Sequence, residues 1–158
     1  MTSDEIKLCD LQGMLFEQSL SLKCSSSIFI RRFMNSNLAK RFDNAGILNE
    51  NKDYQDMLED LNSEYSSELS GSKQFGLNEL FWIGYIYRYW QILYKSTSKS
   101  IYKVCNSEEM RKLFFMYHTL DPEKAVKMIL EAKNIDTASD FTGKGVTILR
   151  KIRAKRSC

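Results

Sequence analysis

The sequence predicts an all-α protein: a single compact bundle of about six or seven helices around a central aromatic helix, followed by a basic C-terminal arm. Three observations predict it. Apolar residues recur at helical spacing through most of the chain. One proline, Pro122, and seven glycines in 158 residues leave few breakers for a turn-rich β-fold. The run Asn78–Tyr94 holds both tryptophans and four of the eight tyrosines, and is apolar or aromatic on nearly every helical face. Such a segment is a helix surrounded by others.

The elements follow in order. Asp4 to Lys23 carries Ile6, Cys9, Leu15, Phe16, Leu20 and Leu22 near helical spacing, with Asp4 and Glu5 at the favourable end of the dipole. Ser25, Ser26 and Ser27 break it and offer cap oxygens to a helix over Ile28 to Met34. Leu38 to Phe42 continues as a short helix that Asn44-Ala45-Gly46 ends, the glycine being the expected stop. Tyr54, Met57, Leu58, Leu61 and Tyr65 form one stripe on an acidic helix closed by Leu69 to Ser72. The aromatic helix comes next, with Leu80, Phe81, Ile83, Ile86 and Trp90 expected inside. Ser96-Thr97-Ser98 starts a short helix holding Ile101, Tyr102 and Val104. Ser107 caps another, whose apolar face is Met110, Leu113, Phe114 and Tyr117. Asp121-Pro122-Glu123 is the sharpest boundary, a capping Asp followed by Pro at the first helical position. Ala125, Val126, Ile129 and Leu130 give that last helix its buried side. Beyond Asn134 the chain turns polar, and the β-branched Val146-Thr147-Ile148-Leu149 reads as a short strand or strand-like arm. The organisation is a helical domain over 1–141 and a basic arm over 142–158.

Charge is unevenly placed. Between Asn49 and Ser72 stand seven acids and one lysine; from Lys144 to Cys158 stand Lys144, Arg150, Lys151, Arg153, Lys155, Arg156 and no acid. Without those six, the chain keeps 17 basic and 20 acidic residues, so the net +3 of the whole becomes −3 for the body. The basic character belongs to the arm.

Cys9, Cys24, Cys105 and Cys158 lack the close pairing of a zinc site, and the acidic N-terminus lacks a secretory pattern. The expectation is a cytoplasmic protein with reduced thiols and no metal or cofactor. Glu79, Arg88 and Gln91 make the aromatic run a poor membrane span, since a charge near mid-bilayer costs about 3 kcal/mol. His118 is the only histidine and sits at a helix end, where it can satisfy carbonyls. No nucleophilic Ser motif and no phosphate-cradling glycine loop is present. No catalytic residue is assigned.

Arg88, alone among aromatics, needs an acid from a neighbouring helix or a place at a binding groove. Four tyrosine hydroxyls on one helix cannot all be buried unsatisfied, so some lie at an interface. Arg88, Tyr85 and Tyr89, with Arg150, Lys151, Arg153, Lys155 and Arg156 of the arm, are the candidate partner-binding residues.

The segments Ser27–Ser36, Trp82–Trp90 and Tyr117–Pro122 resemble a family of small bacterial proteins of Firmicutes type, over roughly Cys9 to Lys133. The resemblance implies an antitoxin component encoded beside an ADP-ribosyltransferase-like toxin, and it assigns no catalytic residue. A helical body would dock on such a toxin, and the basic arm would enter its site for an anionic dinucleotide. The alternative function is nucleic-acid binding or regulation through the arm, with Lys99, Lys103, Arg111 and Lys112 facing out beside it.

Overall fold

A computed structural model of the chain describes residues 1–65 and 71–134. Over these residues the fold is all-α: eight α-helices and two 3-10 turns, with no strand among them. The basic arm, the 141/142 boundary and the expected Val146–Leu149 strand lie outside the described residues.

Helix boundaries follow local capping. Thr2 and Glu5 exchange hydrogen bonds at the start of α1 (Ser3–Gln18), and the turn Ser19–Leu22 tightens into a 3-10 form instead of continuing the helix to Lys23. The serines before α2 (Ser26–Met34) behave differently from expectation. Ser25 makes no side-chain cap; Ser26 Oγ accepts from the Phe75 N–H at 2.9 Å, and Ser27 Oγ donates to Glu108 at 2.6 Å. These hydroxyls tie distant segments together. In α3 (Asn37–Asp43), Ser36 caps from within the chain, and Glu64 accepts from the Asn37 and Leu38 N–H groups at 2.7 and 3.2 Å. After α3 it is Ala45, not Gly46, that takes the left-handed conformation, with φ 63°. Asn44 Oδ1 accepts from the Gly46 N–H at 2.7 Å, and the chain enters a second 3-10 turn, Gly46–Asn49.

The acidic helix α4 (Tyr54–Ser63) spends part of its charge internally. Arg41 binds both Glu50 oxygens and Asp60, while Lys52 also binds Asp60. The remaining helices are α5 (Leu77–Tyr94), α6 (Ser98–Val104), α7 (Ser107–Tyr117) and α8 (Pro122–Ala132). Asn106, one residue before the expected Ser107, caps α7; Asp121 caps α8 with Pro122 at its first position, as the sequence reads.

The aromatic helix α5 is central: α1, α3, α6, α7 and α8 all pack on it. Leu80, Ile83, Ile86 and Trp90 are buried, but Phe81 is half-exposed. A second nucleus joins α1, α2 and α3, where Phe16 meets Phe29 and Phe33 edge-on at 5.4 and 5.2 Å and Phe33 meets Phe42 at 5.5 Å. No helix among the described residues is long and apolar enough to cross a membrane.

Candidate functional site: a sealed arginine node and a half-buried aromatic face

Two features of α5 carry its polar and aromatic chemistry, on opposite sides of the solvent boundary. The first begins with close approach. α1 and α5 run antiparallel, Gln12 meeting Gly84 and Arg88 while Gly13 meets Phe81. A Cβ on Gly84 would stand 2.7 Å from the Gln12 carbonyl oxygen, so only glycine lets the backbones come this near. The approach lets Gln12 Nε2 donate to the Gly84 carbonyl at 2.9 Å and places Gln12 Oε1 before Arg88.

Arg88 is completely enclosed. Its Nε donates to Gln12 Oε1 at 2.7 Å, one terminal nitrogen to Asp43 Oδ1 at 2.6 Å and Gln91 Oε1 at 2.9 Å, and the other to Ser98 Oγ at 3.0 Å. Ser98 donates in turn to Asp43 through both its hydroxyl and its N–H, at 2.6 and 3.1 Å. The guanidinium stands 5.4 Å from the Phe42 ring centre. Burial pulls the Arg88 pKa down; the Asp43 carboxylate opposes it. α1, α3, α5 and α6 are joined by this node, and its acceptors are taken up by the protein itself. Asp43 also backs a cleft of about 190 Å³ with Lys40, Thr97 and Lys99, but its carboxylate oxygens already accept from Arg88 and Ser98. Of the two readings for Arg88 the structure shows the first, a buried ion pair with an acid from a neighbouring helix, Asp43; with zero exposure its side chain is not presented at the surface as the partner-binding assignment required. The sequence did not point to Gln12, Asp43 or Ser98 as its partners, because they stand 76, 45 and 10 residues away.

The second feature is an aromatic face. Phe81, Tyr85 and Tyr89 recur every four residues on α5 and stay half-exposed. Phe81 and Tyr85 rings lie 5.8 Å apart, Tyr85 and Tyr89 6.3 Å apart and nearly parallel. Glu17 of α1 lines a cleft of about 480 Å³ with Phe81, Trp82, Phe114 and His118. Burial raises the Tyr85 pKa and the neighbouring Asp10 raises it further; burial likewise raises Tyr89, with Glu123 and Asp121 adding and Lys127 opposing. At the end of α7, Phe115 is 70% exposed with its ring 5.6 Å from that of Phe114, and Met116 is 59% exposed.

His118 closes α7. Its Nδ1 stands 2.7 Å from the Phe114 carbonyl oxygen and the ring stacks on Phe114 at 4.4 Å, which is the helix-end role its position suggests. Burial pushes the Cys9 and Cys105 thiols up to about 12, away from nucleophilic character. Among the described residues no group of His, Cys, Asp or Glu is arranged to hold a metal ion. Arg111 does not face out as expected: it binds Glu79 at 3.0 Å and lies over the Phe75 ring, while Lys99, Lys103 and Lys112 are exposed. Arg150, Lys151, Arg153, Lys155 and Arg156 lie outside the described residues. Tyr85 and Tyr89 share one face, whose four-residue spacing was legible in the sequence; the exposed Phe115 and Met116 were not foreseen.

No protein-family model matches the chain, and no curated protein and no solved structure gives a significant match.

Proposed function

We propose that this chain is a non-enzymatic binding protein of antitoxin type, which neutralises a co-encoded toxin by docking on it. The observation that carries the reading is the ladder of half-buried rings Phe81, Tyr85 and Tyr89, with Phe81 and Phe114 lining one cleft and the exposed Phe115 ring 5.6 Å from Phe114. Large apolar side chains left together in water are characteristic of protein-binding surfaces, and tyrosine gives contact area with a polar tip. The resemblance of Trp82–Trp90 and Tyr117–Pro122 to antitoxin proteins supplies the class of partner, an ADP-ribosyltransferase-like toxin, whose anionic dinucleotide site the basic arm would occupy. The closed arginine node holds α5 in place beneath the surface and gives the rungs a rigid base.

The test is to look for a toxin-like reading frame beside the gene and co-express the two. The wild-type chain should co-purify with the toxin and restore growth, and Phe115→Glu with Tyr85→Ser should lose both while keeping the helical melt. A wild-type chain that neither binds nor neutralises any co-encoded protein would refute the reading. The alternative, nucleic-acid binding through the arm, is favoured by the exposed Lys99, Lys103 and Lys112. It would appear as duplex-DNA affinity that falls steeply with salt and vanishes in a chain ending at Asn134.

A further inference from the structure

We infer that the aromatic face of α5 is the docking site of the chain's own basic segment, Val146–Arg156, which a partner must displace. The inference rests on reading this face as a binding surface and adds an intramolecular occupant to it.

Charge complementarity is the first argument. Glu17 lines the cleft at Phe81, and the carboxylates of Asp10 and of Glu123 and Asp121 are near enough for their charge to act on Tyr85 and Tyr89 respectively. Lys127, the cation beside Tyr89, is held by Glu123 at 2.9 Å. An apolar strip with acidic borders accepts a segment whose apolar residues alternate with cations. Val146-Thr147-Ile148-Leu149-Arg150-Lys151-Ile152-Arg153-Ala154-Lys155-Arg156 is such a segment, with four large aliphatic residues, five cations and no acid. Arginines of this segment can also stack on Tyr85 and Tyr89. The body carries a net −3 to attract it.

Reach is the second argument. α8 packs on α5 with Glu123 of its first turn near enough for its charge to act on Tyr89, and the described chain leaves α8 at Asn134. At a rise of about 1.5 Å per residue the exit point is roughly 17 Å from Glu123. The eleven residues 135–145 can span up to about 36–40 Å when extended, enough to return Val146 to the rungs. The docked segment is held in the same molecule at high effective concentration, so modest contacts suffice to keep it there.

The purified full-length chain tests this without any partner. Trypsin cleavage after Arg150 to Arg156, followed by intact mass, is compared with cleavage of a synthetic peptide of residues 142–158. Cleavage tracks the undocked population, so the chain should be cut at least about tenfold more slowly than the peptide. The surface double variant Asp10→Lys with Glu17→Lys, still melting in one cooperative transition, should be cut at the peptide's rate. A photo-crosslinker at Tyr85 should join to residues 142–158 of the same molecule. Three results overturn the proposal: a wild-type arm cut as fast as the peptide, protection that disappears on dilution and so belongs to a second copy, or protection that survives the charge reversal with no crosslink. A chain that neutralises a toxin with an unprotected arm refutes this docking alone. A protected arm in a chain that binds no toxin refutes the antitoxin reading alone.

Discussion

At the scale of single residues, Arg88 decides most. A buried guanidinium is tolerated because Gln12, Asp43, Gln91 and Ser98 supply acceptors within 3.0 Å. Removing one partner leaves the others desolvated and unpaired. Arg88→Leu and Asp43→Ala should each cost about 3–5 kcal/mol in urea unfolding. The double variant should cost clearly less than the sum, with a coupling of at least about 1 kcal/mol. Additive losses would show that the pair does not act as a unit. The thiols give a second prediction at this scale. Cys9 and Cys105 are fully buried, with burial raising each pKa to about 12. In the native protein at pH 8 both should react with Ellman's reagent at least about a hundredfold more slowly than after unfolding.

At the scale of elements, the α1–α5 contact separates two glycines that look alike in sequence. A Cβ at Gly84 meets the Gln12 carbonyl at 2.7 Å, which is backbone and cannot move aside. A Cβ at Gly13 meets the Phe81 ring at 2.8 Å, a half-exposed side chain that can swing away. Alanine favours an exposed helix by about 1 kcal/mol over glycine, so the contacts set the sign. Gly84→Ala should destabilise by about 1–3 kcal/mol, while Gly13→Ala should lie within about 1 kcal/mol of wild type and shift the Phe81 rung. Equal losses at the two positions would contradict the difference between backbone and side-chain obstruction.

At the scale of the whole molecule, stability resides in the α5-centred core. Trp90→Ala should cost about 3–5 kcal/mol, as truncation of large core aromatics does. Deleting residues 142–158 should leave the cooperative thermal transition in place and lower stability by only about 1–2 kcal/mol, the scale of an arm docked about tenfold in its favour, while removing the cations that speed association with a partner. Acid will act on the Arg41 cluster. Hydrogen bonding to Arg41 lowers the Glu50 pKa, and hydrogen bonding to Lys52, then Arg41, lowers that of Asp60. Carboxylates lowered in the folded state add stability that is present above the ordinary carboxylate pKa of about 4 and lost as the pH falls through the lowered values. The melting temperature should therefore drop below about pH 4, less steeply in Arg41→Leu. The side chains keep 29% and 31% exposure, so each pair contributes under about 1 kcal/mol.

The helices and most of their order were legible in the sequence because they rest on local signals. The Tyr54–Leu61 stripe, the Asp121-Pro122 cap and the all-round apolarity of Leu80–Trp90 each act within a few turns of one helix. The tertiary structure decided what depends on distant neighbours: that Arg88 is sealed by Asp43 and not presented, that Phe81 joins Tyr85 and Tyr89 outside the core, and that Ser26 and Ser27 bond across 49 and 81 residues instead of capping. Periodicity reports which face of a helix is apolar. Which side of that face meets another helix and which meets water depends on where the neighbours lie, and here the close approach of α1 to Gly84 puts Arg88 inside and leaves the aromatic rungs half-buried at the surface.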